Sequence, residues 1–271
     1  MALDPSLLLF VPADRPERFG KALASGASGA ILDLEDAVAP DRKAYAREQV
    51  RVFLDASADL ANVAVRVNPP HTPDGDADLV MLASARRVGA VVVPKVGAVG
   101  DCALVAEIAG DLPQIVLIES ARGLARCEAI AAAPKVFALA FGPYDLAAEL
   151  GGSSDADVMD VHRARMLVAA RAAQCWAIDG PSREYGDAAI PARDAERARR
   201  MGYDGKLLIH PAQLAPVRAA FTPSADEIAY ARRVVEAAAR SNPAVLDGTM
   251  IDPPIEAAAR RVLRRAGALS S

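Results

Sequence analysis

Aromatic side chains supply only 4% of this 271-residue chain, with a single tryptophan, which excludes a stacking platform for single-stranded nucleic acid. An excess of positive charge is also missing. Lys and Arg number 31 against 35 Asp and Glu, for a net charge of −4, so there is no basic stripe for DNA or RNA. No apolar run approaches the ~20 residues that a membrane span needs. Met1–Phe10 has no Lys or Arg ahead of its apolar stretch and does not read as a signal peptide. The three cysteines, Cys102, Cys127 and Cys175, form no CxxC and have no histidine at ligand spacing. They read as buried reduced thiols of a cytoplasmic protein, with no zinc site. A Gly-rich phosphate loop is lacking too: the first apolar run leads into VPADRPERF, without GxGxxG or GxxxxGK[ST].

What is present is a globular balance, 52% hydrophobic and 24% charged. The length suits one large α/β domain or two small ones. Eight short runs rich in Val, Ile, Leu and Ala recur: Leu7–Ala13, Ala30–Asp36, Val63–Asn68, Ala90–Val96, Ile115–Ser120, Val136–Gly142, Trp176–Gly180 and Lys206–Pro211. They are continuous rather than alternating, as parallel strands covered on both faces should be. Between them lie Ala-, Arg- and Glu-rich segments with helical character: Arg15–Ser25, Lys43–Asp55, Gly75–Val88, Val99–Ala109, Gly123–Ala132, Asp155–Ala173 and Asp194–Met201. The alternation predicts a (β/α)₈ TIM barrel with a C-terminal helical extension. An open doubly wound sheet is the alternative. The barrel is assigned to residues 1–221 and the extension to 222–271. Within the extension we expect a helix over Pro223–Ser241, a Gly/Asp/Pro-rich linker over Asn242–Pro254 and an Arg-rich helix to Gly267. About 50 residues bury too little to stand alone, so the extension is read as an appendage.

Barrel active sites sit at the carboxyl ends of the strands. The residues closing the runs are therefore the candidates: Asp33, Glu35 and Asp36, then Arg66 and Asn68, Lys95, Glu119, Asp145, Asp179 and His210. Glu119 and Asp145 end neighbouring strands and offer two carboxylates to a hard cation, the way Mg²⁺ is usually held. The alternative for each is a helix cap or an ion pair. Arg66 lies in an otherwise apolar strand, where its fork suits a carboxylate or a thioester oxygen gaining charge. A buried pair with Glu35 or Asp36 is equally compatible with that position. His210 reads equally as a core histidine or a catalyst. Asp252, before Pro253, is a turn-former on composition alone.

The ordered motifs LLFVPADRPERF, ILDLEDAVAPDRKAYAR, VRVNPPHTPDGDADL, VVPKV, LIES, FALAFGPYDLA, AIDG, GYDGKLLIHPAQL and GTMIDPP resemble the HpcH/HpaI aldolase and citrate lyase β-subunit-like (CitE-like) superfamily, from about Leu7 to about Ala257. The resemblance implies a TIM barrel, commonly a trimer or hexamer, that uses Mg²⁺ to make or break C–C bonds beside a keto acid. It implies Glu119 and Asp145 as metal ligands, with Glu119 also beside the substrate, and Arg66 as the arginine that contacts substrate. Glu35 and Asp36 correspond to the acidic pair of that site. Asp252 corresponds to an acid/base aspartate that CoA-dependent relatives deliver from a C-terminal segment, often into a neighbouring subunit. Tyr144, Gly97 and Pro5–Ser6 depart from the pattern, which bears on the substrate and leaves the metal pair intact.

The expected activity is a Mg²⁺-dependent lyase of 3-hydroxyacyl thioesters of the malyl-, citramalyl- or citryl-CoA type, releasing a 2-keto acid. An aldolase on free hydroxy-keto acids and a catalytically silent binding barrel are the alternatives. Small-molecule partners are expected, a keto acid and an acyl-CoA, with no nucleic acid and no membrane.

Overall fold

The computed structural model describes residues 3–57, 59–85, 88–240 and 244–268. Eight parallel strands close in sequence order: β1 (Leu7–Pro12), β2 (Gly29–Asp33), β3 (Val63–Arg66), β4 (Ala90–Val93), β5 (Gln114–Ile118), β6 (Val136–Phe141), β7 (Trp176–Asp179) and β8 (Gly205–Leu208). The barrel shuts where Leu7–Leu9 of β1 pair with Lys206–Leu208 of β8. The predicted (β/α)₈ barrel is therefore the fold. Every strand starts within one residue of its apolar run but ends one to three residues before it. The reason is burial after the last ladder position: Leu34, Val67 and Val96 are wholly buried in the loops that follow. Hydrophobicity thus continues where pairing has stopped.

Helices cover the outside. Val99–Ala109 is a single helix as predicted, whereas Gly123–Ala132 resolves into two short helices, Ala121–Ala125 and Cys127–Ala131. The third predicted helix runs from Pro73 to Ser84, and residues 86–87 of its expected span lie outside the described residues. The helices Pro143–Leu150 and Leu214–Phe221 were not anticipated. The first begins immediately after β6 and carries Asp145 in its first turn.

Alternate strand residues fill the barrel. Leu8, Ile31, Ala64, Val92, Ile115, Leu117, Ala138, Ala140, Ile178 and Leu207 belong to one buried cluster, so the interior is a packed core. Burying each large aliphatic side chain there contributes about 1.5–3 kcal/mol. Side chains on a strand repeat every second residue. The inward positions one step above this core are thus Phe10, Asp33, Arg66, Glu119 and Gly142.

The same parity turns Asp179 and Lys206 outward, since Ile178 and Leu207 point in. Both are buried at the outer surface of the barrel, where Arg163 of the helix Ala156–Ala172 joins them. Arg163 Nε donates to Asp179 at 2.8 Å, and Lys206 Nζ donates to Asp179 at 2.6 Å and to the Gly180 carbonyl at 2.5 Å. Asp179 therefore does not converge on the mouth as expected from its place at a strand end; it belongs to a closed ionic cluster of the scaffold.

The chain divides into two compact units, Met1–Val217 and Arg218–Ser271. In the second unit, the helix Ala225–Arg240 and the helix Pro253–Arg265 flank an antiparallel hairpin of β9 (Ala244–Leu246) and β10 (Thr249–Ile251). This corrects the expected linker: Asp247 and Gly248 both have positive φ, 49° and 79°, the conformation of a two-residue Asp-Gly hairpin turn. Ser241 and Asn242, the predicted helix end and linker start, lie outside the described residues. The unit also has a hydrophobic cluster of its own, with Ala231, Val234, Ala244, Ile251, Ala259 and Leu263 buried. Its reading as a tail without a core is corrected accordingly: the hairpin supplies the apolar side chains that two helices alone would lack.

Candidate functional site

Glu119 follows β5 and is 5% exposed. Its Oε1 accepts the backbone N–H of Lys95 at 2.7 Å. Lys95 takes a left-handed backbone conformation, φ 54°, in the loop after β4. Its ammonium contacts Asp145 Oδ2 directly and lies 3.7 Å from Glu119 Oε1 and 3.9 Å from Glu35 Oε1. Asp145 sits in the first turn of the helix Pro143–Leu150, where the helix dipole favours an anion. Gly142 makes the approach of the two strand ends possible, because a Cβ there would lie 2.3 Å from Glu119 Cβ.

Opposite this group stands Arg66. Its Nε and Nη2 donate to the two oxygens of Asp33 at 2.7 and 2.6 Å, a bidentate fork that fixes the guanidinium plane. Nη1 lies 2.9 Å from Glu35 Oε2 and 3.6 Å from Asp36 Oδ2. Its flat face covers Phe10 at 4.7 Å. Asp33 is itself held by the backbone N–H groups of Glu35 and Ala37. Both compatible readings of Arg66 meet here, since it is a buried ion pair and it also lines the cavity.

The cavity above the core has a volume of about 410 Å³. Asp33, Asp36, Arg66, Glu119, Gly142, Tyr144, Asp145 and Arg183 line it, along with Phe10, Leu117, Phe141, Leu207 and Ile209. Five of the strand-end candidates, Asp33, Asp36, Arg66, Glu119 and Asp145, thus line one cavity. Glu35 stays beneath it, buried against Arg66 and Lys95. Asp252 belongs to the second unit and caps the helix Pro253–Arg265 by accepting the Ile255 N–H at 3.0 Å. His210 Nδ1 accepts the Ala212 N–H, and its ring stacks on Tyr185 at 4.3 Å. The histidine is a local cap.

Sequence reasoning placed Asp33 and Lys95 among the strand-end candidates without giving either a role, and it did not select Arg183. For Asp33 the signal was available as strand parity, one step above the inward Ile31. A residue held at positive φ, as Lys95 is, leaves no trace in sequence, and Arg183 sits in a polar loop without periodicity.

The electrostatics of the mouth are unbalanced. Among the described residues Arg66 and Lys95, with Arg183 at the cavity wall, are outnumbered by five carboxylates, those of Asp33, Glu35, Asp36, Glu119 and Asp145. Burial pushes Glu35 up to about 8, with Arg66 opposing and Glu119 and Asp36 adding to the rise. Burial likewise raises Glu119. Burial alone would lower the Lys95 ammonium, but Glu119, Asp145 and Glu35 outweigh it and hold its pKa above the usual lysine value. Glu35 Oε2 accepts no hydrogen bond despite being buried. The carboxylates at the mouth outnumber its cations, which fits an additional cation. Among the described residues no three Asp, Glu, His or Cys side chains converge as a self-sufficient metal cage. Two carboxylates leave the remaining positions to water and substrate, the donor set of a hard octahedral divalent ion.

The model of the HpcH/HpaI aldolase/citrate lyase family matches residues 6–211. A citrate lyase subunit beta-like protein of Mycobacterium tuberculosis is 38% identical over 271 residues, covering 97% of this chain and 96% of its own. A (3S)-malyl-CoA thioesterase of Cereibacter sphaeroides is 36% identical over 273 residues, covering 97% and 95%. The crystal structure of the M. tuberculosis protein CitE in complex with magnesium, acetoacetate and coenzyme A superposes with a TM-score of 0.87 at 37% identity, over 97% of this chain and 98% of that one. The chain belongs to the HpcH/HpaI aldolase/citrate lyase family.

Proposed function

We propose, with this family membership as premise, that the protein is a Mg²⁺-dependent carbon–carbon lyase of a 3-hydroxyacyl-CoA thioester of the malyl, citramalyl or citryl type. The observation that carries the proposal is the charge imbalance at the mouth, where Glu119 and Asp145 lie on one lysine ammonium opposite a carboxylate-pinned arginine. Glu119 and Asp145 would hold Mg²⁺, which when bound supplies Lewis-acid polarisation and a template for the carboxylate and adjacent oxygen of a 2-keto acid.

The chain's own residues supply the rest. Asp33 fixes the plane of Arg66, so that its N–H groups are preorganised for charge developing on a thioester oxygen. In the cleavage direction the C3 hydroxyl proton passes to Asp36, the member of the Glu35–Asp36 acidic pair that lines the cavity. The C2–C3 bond breaks and its electron pair moves to the thioester oxygen. Asp252 then protonates the acyl α-carbon. We assign Asp252 this role from the family resemblance, delivered by a neighbouring subunit of a cytoplasmic trimer or hexamer. To act, it must give up its cap on Ile255 N–H, which costs about 1 kcal/mol.

The test is incubation of purified protein with each thioester and Mg²⁺, with Glu119→Ala as control. Release of keto acid and acyl-CoA supports the lyase. Free CoA thiol with intact hydroxy acid would instead identify a thioesterase, a second reading favoured by the C. sphaeroides relative. Full activity of Asp252→Asn on free hydroxy-keto acids alone would point to an aldolase that does not use CoA. No turnover of any of them sinks the enzymatic reading.

A further inference from the structure

Two arginines line the cavity, and their surroundings differ. Arg66 is already paired with Asp33 and Glu35, and the N–H groups it has left are assigned to the thioester oxygen. Arg183, in the loop after β7, has no carboxylate within ion-pair distance among the described residues. Its guanidinium lies flat on the Tyr144 ring, 4.0 Å from the centroid. That ring is fixed in turn, since the Tyr144 hydroxyl donates to the Pro181 carbonyl at 3.0 Å. Stacking uses the face of a guanidinium and leaves its in-plane N–H donors free. Arg183 is therefore a pre-positioned fork at the cavity wall with its donors unspent, one residue away in contact from the Asp145 that would hold the cation.

We propose that Arg183 is a specificity-determining residue that binds a second anionic oxygen group of the substrate, beyond the carboxylate oriented at Glu119 and Asp145. The chemistry is that of a carboxylate or phosphate oxygen pair received by a planar fork. It has two possible sources: the distal carboxylate of a dicarboxylic keto acid, or a phosphate of the thioester carrier. The inference rests on the reading of the mouth given above.

Calorimetric titration of wild type, Arg183→Leu and Arg183→Lys with oxaloacetate, pyruvate, CoA and pantetheine, each with Mg²⁺ present, separates the cases. Loss of one charge-assisted fork should weaken oxaloacetate about ten- to a hundred-fold in Arg183→Leu, leave pyruvate within about twofold, and be partly restored by Lys. A loss confined to CoA and absent from pantetheine also supports the proposal and assigns the phosphate as the source. Equal weakening of oxaloacetate and pyruvate, or no change for any probe, overturns it. Wild type binding neither keto acid would instead refute the reading of the mouth on which it depends.

Discussion

Two ionic clusters of this barrel use the same residue types at neighbouring strand ends and are put to opposite use. At the outer surface Asp179 is enclosed by Lys206 and Arg163, and Arg163 also reaches Asp160 at 3.3 Å. Charges of the two signs match, and no side chain there lines the cavity. Burial would raise Asp179, but Lys206 and Arg163 outweigh it and lower its pKa. At the mouth Arg66 and Lys95 meet five carboxylates, Glu35 is driven up to about 8, and Asp33, Asp36, Arg66, Glu119 and Asp145 open onto one cavity. A strand end thus becomes scaffold or site by one residue of parity. What marks the site is charge left uncompensated, not charge as such.

The contrast can be broken most severely from the scaffold side. Asp179→Ala removes the carboxylate of buried Lys206 and one of the two that Arg163 reaches, and should destabilise the protein by about 3–5 kcal/mol in urea unfolding. Mg²⁺ affinity of the molecules that remain folded should be unchanged. A loss under 1 kcal/mol would mean the outer cluster is not a structural element. The reverse pattern is expected of Glu119→Ala, where turnover should fall by about a hundred- to a thousand-fold, the several kcal/mol that a Lewis acid supplies. Its unfolding midpoint should hold or rise, because a crowded carboxylate has been removed.

A smaller effect should follow from Asp33→Asn, which keeps the shape of the fork but removes its charge. We expect kcat to drop about tenfold to a hundredfold as Arg66 loosens, with Mg²⁺ affinity nearly constant by calorimetry. Smallest is the acid limb of stability. The folded pKa of Asp179 lies below its unfolded value of 3.8. Its contribution is therefore complete above pH 3.8 and fades as pH falls through the depressed folded value. Thermal unfolding between pH 2 and 5 should show a steeper decline in wild type than in Asp179→Asn.

Much of the fold was legible because its signal is redundant. Eight continuous apolar runs separated by helical segments leave few architectures, and burial on both faces writes each strand plainly from Leu7 to Leu208. Strand ends were blurred because Leu34, Val67 and Val96, in the loops after β2, β3 and β4, are as buried as the strands. The tail was misread where Asp247-Gly248, a two-residue hairpin turn, was grouped with its Gly- and Pro-rich surroundings. In the site, Glu119, Asp145, Arg66 and Asp36 announced themselves as charges among apolar residues. Asp33 and Asp179 announced themselves equally, and only alternation against Ile31 and Ile178 separates them. Arg183 acquires meaning from a ring 39 positions earlier in the chain, a relation no local pattern encodes.

The central claim is that the carboxylates of the mouth call for an additional cation and those of the outer cluster do not. Its most direct measurement is calorimetric titration of Mg²⁺ into wild type, Glu119→Ala and Asp179→Asn. The account predicts one Mg²⁺ per barrel in wild type and in folded Asp179→Asn, and none in Glu119→Ala. Absence of binding in wild type, or undiminished binding in Glu119→Ala, would contradict it.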